Sequence, residues 1–202
     1  MYQNKSSFSQ SCYPKKLAHL FNSQNDIEVW KEFKTGNRMA FEAIFRRYHE
    51  TLRLYGSKIC SDSGMLEDAI QDLFVELWQS KSNAPIQSVK AYLLKALKYK
   101  LFRALKSSRK RSIHLPDNDD LDFNFAHDNT LISAEEEKLR SLKINGILQQ
   151  LPSRQREIIY LRIYQNLDYS EISEIMGINY QVARNLFYQS MKSLRQSFSE
   201  QF

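Results

Sequence analysis

Apolar residues return along most of this chain at steps of three and four, the spacing that lines one face of a helix. Ile27, Trp30 and Phe33 begin the pattern after Asp26, and Gly36-Asn37 interrupts it. Phe41, Ile44, Phe45, Tyr48 and Leu52 then share a face and predict an amphipathic helix with an aromatic stripe. SDSG at 61–64 predicts a turn, with Ser63 placed to cap the following helix. In that helix, MLEDAIQDLFVELWQSK (65–81), Leu66, Ile70, Leu73, Phe74 and Leu77 form the buried stripe, and Asp68, Gln71, Asp72 and Trp78 lie largely away from it. Beyond the NAP loop at 83–85, Leu94, Leu97, Leu101 and Leu105 mark one buried side of a long helix over 88–111.

The pattern resumes at EEEKLRSLKINGILQQL (135–151), which Pro152 stops. SRQREIIYLRIYQ predicts a further amphipathic helix capped by Ser153. Asp168, with Glu171 three residues on, has the spacing of a capping box. Gly177 is placed to end that helix in the left-handed conformation, and Asn179 to cap the next. In the last helix Ala183, Phe187, Ser190 and Leu194 mark a buried seam, which leaves Gln181, Arg184, Asn185, Tyr188 and Lys192 outside. With five glycines and four prolines in 202 residues, little interrupts this periodicity, and the predicted fold class is all-α.

Charge divides the chain. The net charge of +6 hides nine Lys or Arg and no acid between Ile86 and Arg111. The sign then reverses: 112–137 holds no Lys or Arg but carries Asp117, Asp119, Asp120, Asp122 and Asp128. Pro116 and the Asp/Asn cluster predict an extended acidic linker over 112–133. Two small helical domains follow, 26–111 and 134–198, behind a polar tail at 1–25. No 18-residue apolar run and no signal-peptide core occurs. Cys12 and Cys60 stand alone and the four histidines are scattered, so neither a disulfide framework nor a metal site is expected, which fits a reducing cytoplasm. No glycine-rich phosphate loop or nucleophile triad has supporting spacing, and neither an enzyme nor a cofactor is expected.

Two stretches carry candidate chemistry. EISEIMGINYQVARNLFYQSMKSLR (171–195) has the short helix, glycine turn and basic-polar second helix of a helix-turn-helix, a spacing that an ordinary helical hairpin also shows. Side-chain type separates the two. Arg pairs bidentately with guanine, and Asn or Gln with adenine, while Lys192 and Arg195 suit phosphates. In the basic helix, like charges repel unless a polyanion neutralises them. Tyr92, Tyr99 and Phe102 lie among those charges, and cations with exposed rings suit a single strand, although core packing would use the same rings.

LEDAIQDLFVELW (66–78) resembles the polymerase-binding helix of bacterial extracytoplasmic-function sigma factors, and SVKAYLLKALKYKLFRAL (88–105) is similar to their promoter-melting helix. Residues 151–195 look like their C-terminal promoter-reading domain. The resemblance covers about 26–198. It implies a specificity subunit that binds core RNA polymerase, recognises −10 and −35 promoter elements and melts the first. Asp68, Gln71, Asp72, Phe74 and Trp78 match the contact with the β′ clamp helices. Residues 79–90, with Asn83, Gln87 and Lys90, match the loop that captures a flipped non-template base. Tyr92, Lys95, Lys98, Tyr99, Lys100, Arg103, Lys106 and Arg109 match the helix against opened DNA. Gln181, Arg184, Asn185, Tyr188 and Lys192 match the −35 face, and the β flap is the expected partner of the second domain. An anti-sigma factor is a further family expectation, with no membrane insertion. Val182-Ala183-Arg184, Leu186, Gln189, Tyr92-Leu93 and Tyr99 depart from the commoner family residues, which implies distinct promoter preferences. The rival reading is a stand-alone helix-turn-helix regulator; a helical nuclease would need carboxylates beyond the one nearby cluster, Glu67, Asp68 and Asp72.

Overall fold

A computed structural model describes residues 25–80, 85–110, 122–125 and 144–201, and these form helices joined by short connections, with no strand among them. The all-α expectation holds. Most of the predicted tail and linker, and residue Asn83, lie outside the described residues.

The first unit contains α1 (Asp26–Lys34), α2 (Arg38–Ser57), α3 (Ser63–Gln79) and α4 (Val89–Lys110). Each start is set locally. The side chains of Asn25 and Asn37 accept from amides of the first turns of α1 and α2. At α3 the cap is Asp62, not Ser63: its carboxylate accepts from the Met65 amide at 3.0 Å and places negative charge at the helix N-terminus. Such caps each contribute about 1 kcal/mol.

α2 packs against α1, α3 and α4. Gly56 makes its closest approach possible, because a Cβ there would lie 2.3 Å from Leu66 Cδ1. Trp30, Phe33, Ile44, Leu52, Ile70 and Leu97 are buried in the resulting core, each stabilising by about 1.5–3 kcal/mol. Phe45, predicted to share the α2 stripe, is 36% exposed and leans on Phe74 and His49 instead.

The second unit begins with α5 over 144–149. Next comes α6 (Ser153–Ile159), which continues into a π turn at Tyr160–Tyr164, then α7 (Tyr169–Met176) and α8 (Tyr180–Gln201). Two expectations need correction here. Pro152 holds the cap position of α6 without a side-chain bond, and Ser153 Oγ instead accepts from the Phe123 amide at 2.7 Å. The predicted regular helix over 153–165 is also interrupted, since the Gln165 amide reaches the Tyr160 carbonyl at 3.0 Å, an i→i+5 bond. That extra residue stacks Tyr160 on Tyr164 at 5.5 Å. The Asp168–Glu171 capping box, the left-handed Gly177 (φ 64°) and the Asn179 cap on Val182 form as the sequence predicts.

α7 packs along α4. The leucine stripe of α4 predicts one buried side, yet Ala91 and Leu93 are also fully buried. Residues 122–125 lie where the end of α2 meets α6 and its π turn, continuing the seam between the units: Phe123 and Phe125 are buried, and the Asn124 amide donates to the Lys58 carbonyl at 2.7 Å.

Candidate nucleic-acid interface

The candidate reading face is built by the α7–turn–α8 motif. The capping box starts α7, and Gly177 accepts a positive φ that a side chain would resist. Ala183 and Ser190 on α8 are fully buried, with Ile172 and Ile175 of α7 in the same core. Fixing that seam fixes the opposite face. Gln181, Arg184, Asn185, Tyr188 and Lys192 are all exposed, Tyr188 the most at 72%. Gln181 Nε2 donates to Asn185 Oδ1 at 3.2 Å, which orders two of the five as a pair. Beside them Tyr180 meets Tyr169 edge-on, and the Arg162 guanidinium covers the Tyr169 ring at 4.9 Å. A helix presenting Arg, Asn and Gln on one exposed face has the donor and acceptor set for base edges in a major groove.

On α3, Asp68, Gln71, Asp72 and Trp78 are exposed, Trp78 at 40%. Phe74 differs. It is only 3% exposed, edge-on to Phe41 and Phe45, so it supports this face from beneath instead of meeting a partner. Val75, 51% exposed, and Phe45 extend the apolar part of the face. Periodicity hides both: Phe45 falls within the predicted buried stripe, and Val75 follows directly on the stripe residues Leu73 and Phe74.

The α3 acids and the α4 cations face each other across one groove of about 790 Å³. Asp68, Asp72 and Glu76 form one wall, and Tyr99, Lys100 and Arg103 the other. Lys100 Nζ donates to Glu76 Oε1 across it at 2.6 Å. Tyr99 is 57% exposed, while Tyr92 is half-buried, edge-on to Trp30 at 5.3 Å. Phe102 is half-buried with Lys106 Nζ 5.8 Å from its ring centroid. Gln87 and Arg103 are exposed. The side chain of Arg109 lies outside the described residues.

Three candidate cations of α4 point elsewhere, into the seam. Lys90 Nζ donates to the Gln165 carbonyl at 2.6 Å, and burial lowers its pKa, partly countered by Glu171 and Asp26. Lys95 lies 3.5 Å from Glu174. Lys98 donates to both Glu157 oxygens at 2.7 and 2.9 Å, and Tyr55 donates to the same carboxylate at 2.7 Å. Burial, then the Glu157 charge, pushes the Tyr55 phenol well above its ordinary pKa.

A helix-turn-helix joined to a second helical unit with an acidic-aromatic face and a basic helix is the arrangement of a two-part, DNA-directed protein. Comparison with known proteins narrows the class. Residues 44–111 match the model for Sigma-70 region 2, and 141–194 that for Sigma-70, region 4. The RNA polymerase sigma factor SigZ of Bacillus subtilis is 26% identical over 162 residues, 78% of this chain and 86% of its own. SigV of the same organism is 26% identical over 109 residues, 54% of this chain and 60% of its own. Among solved structures, CnrH in complex with the cytosolic domain of CnrY matches with a TM-score of 0.57 and 16% identity, over 87% of this chain and 97% of that one. The sigma factor RpoE bound to the anti-sigma factor NepR from Bartonella quintana matches at 0.53 and 16%, over 79% of this chain and 96% of that one. The chain belongs to the sigma-70 family of RNA polymerase sigma factors, in its extracytoplasmic-function group. Proteins of this family are DNA-binding initiation factors that direct promoter-specific transcription and are generally non-enzymatic. No helix among the described residues is long and apolar enough to cross a membrane.

Proposed function

We propose that this chain binds core RNA polymerase in the cytoplasm through α3, reads the −35 element through α8, and opens the −10 element along α4, with no catalysis of its own. The carrying observation is the pairing of two exposed faces in one chain, in the order region 2 then region 4: Asp68, Gln71, Asp72 and Trp78 on α3, and Gln181, Arg184, Asn185, Tyr188 and Lys192 on α8.

The division of labour follows from chemistry. An acidic helix face with a half-exposed Trp suits a basic partner helix, here the β′ clamp. Arg184 and Asn185 suit bidentate base contacts, and Lys192 a phosphate. Residues 26–111 form the −10 unit and 134–198 the −35 unit, which also meets the β flap. In the −10 unit Tyr99, Arg103 and Lys106 provide an exposed ring flanked by cations for unstacked bases, with Gln87 at the entry. Flipping a base costs a few kcal/mol, which stacking and pocket contacts offset. Because CnrH and RpoE were both solved with protein partners, RpoE with an anti-sigma factor, an inhibitor of that kind is the expected regulator here.

In-vitro transcription tests this reading: core polymerase with and without the chain, on fragments of its own genome. Discrete new start sites that appear only with the protein support it. No core binding, together with duplex binding by the chain alone, would point to an ordinary helix-turn-helix regulator.

A further inference from the structure

We propose that Val182 is a specificity-determining residue of α8: its side chain meets the 5-methyl group of a thymine in the −35 element, beside the base contacts of Gln181 and Asn185. This rests on the proposed role of α8, and it adds a base preference that the polar residues of that face do not supply.

Position comes first. Val182 stands in the first turn of α8 and is 44% exposed, although its neighbour Ala183 is fully buried. Its backbone is held in place: Asn179 Oδ1 accepts from the Val182 amide at 2.8 Å, and the Ile178 amide donates to the Ser173 carbonyl just beyond the left-handed Gly177. At the helix start Tyr180 leans edge-on against Tyr169, whose ring carries the Arg162 guanidinium. Burial of Ala183, Ser190 and Leu194 fixes which way this turn faces. Two residues span about 200° round a helix, so Val182 and Arg184 take opposite flanks of the exposed face, with Gln181 and Asn185 between them. The first turn of a recognition helix is the part that reaches base edges.

Chemistry then selects the base. A valine side chain has neither donor nor acceptor, so against a phosphate or a polar base edge it would displace water without replacing a hydrogen bond. The thymine methyl is the one methyl group that the major groove displays. The same A·T pair carries the adenine N6 and N7 groups with which Asn or Gln pairs, so one base pair, or two in succession, can engage Val182 and its amide neighbours together. Shape favours the contact as well. Valine is branched at Cβ and holds one χ1 rotamer in a helix, so its methyls are already arranged and little side-chain freedom is lost on binding. Leu186, half-buried one turn further on, continues the apolar flank. No charge is involved, so the contact adds discrimination and leaves the salt dependence of binding to Arg184 and Lys192.

The test uses holoenzyme assembled from the full chain and core polymerase, on a promoter mapped by the transcription experiment above. Each thymine of its −35 element is replaced in turn by deoxyuridine, which keeps the base pair and removes only the methyl. Promoter affinity is measured at fixed salt for the wild type, Val182→Ala and Val182→Ile. We expect one thymine at which loss of the methyl weakens wild-type binding roughly threefold to fivefold, the effect of one buried methyl group. Val182→Ala should lose a similar factor on the thymine promoter and nothing more at that deoxyuridine, while Val182→Ile should keep the sensitivity. An element without A·T pairs overturns the inference. So does equal wild-type binding to every deoxyuridine promoter, or a methyl penalty that persists undiminished in Val182→Ala. Those results leave the sigma reading standing, because it depends on start sites alone. Absence of any new start site with the wild type would sink that reading, and this inference with it.

Discussion

Tyr55→Phe tests the seam at a single atom. The Tyr55 side chain is fully buried and its hydroxyl donates to Glu157 Oε1 at 2.7 Å. Phenylalanine keeps the ring and deletes that one bond. Hydrogen bonds to charged groups are worth about 1.5–3 kcal/mol. Lys98 continues to serve both carboxylate oxygens, so the expected loss lies at the low end, about 1–2 kcal/mol. For a chain of this size that lowers Tm by about 2–8 °C.

Thermal unfolding followed by circular dichroism at neutral pH measures the shift, and the alkaline side provides an independent check. Burial and the Glu157 charge hold the folded Tyr55 phenol neutral well above its ordinary pKa, whereas in the unfolded chain it ionises near pH 10. Below that pH both states are protonated and this group adds no pH dependence. Above it the unfolded state binds fewer protons than the folded one, so stability falls as pH rises. The Tyr48 phenol is raised too, and its contribution of the same sign persists in the variant. Tyr55→Phe should therefore show a lower Tm at pH 7 and a shallower loss above about pH 10. An unchanged Tm together with an unchanged alkaline limb would mean that the Tyr55–Glu157 bond does not join the units in solution.

Gly56→Ala places a methyl 2.3 Å from Leu66 Cδ1; overpacking of about 1–3 kcal/mol outweighs a helix-propensity gain of about 1 kcal/mol. Denaturant titration should show a lower midpoint, with a smaller loss from the same change in a Leu66→Ala background, and an unmoved midpoint would contradict the close approach of α2 to α3. Arg184→Ala should cost about 1–3 kcal/mol of promoter discrimination if it contacts a base bidentately; transcription that stays equal across −35 variants would remove it from the reading face. Asp72→Arg reverses a charge on the exposed face of α3 and should weaken core polymerase binding with helicity intact, so an unchanged pull-down would count against the clamp contact.

The helix-turn-helix was legible almost residue by residue. Its caps, glycine turn and buried seam depend on side chains within four residues of each other, and a local pattern records local bonds. The acids of α3 and their exposure followed from the same periodicity, which also put Phe74 in the buried stripe; only the family resemblance set Phe74 on the contact face. A residue's presence in a motif says nothing of which side it faces, and Phe74 belongs to the buried stripe. Ser63 and Ser153 show how a local rule fails. Asp62 offers a charged acceptor one residue earlier, and Ser153 is drawn off by the Phe123 amide, thirty residues upstream.

The sequence by itself determined the helices, their order, the exposed face of α8 and the family, because those depend on spacing along the chain and on side-chain type. Only the tertiary structure decided what the basic helix touches. Lys98 meets Glu157 across 59 positions and Tyr55 meets it across 102, and no periodicity encodes a contact at such separation. For the same reason Phe123 and Phe125 read as parts of an acidic tether until the seam formed around them. A charge pattern reports the average character of a segment, whereas burial is decided residue by residue when distant helices pack.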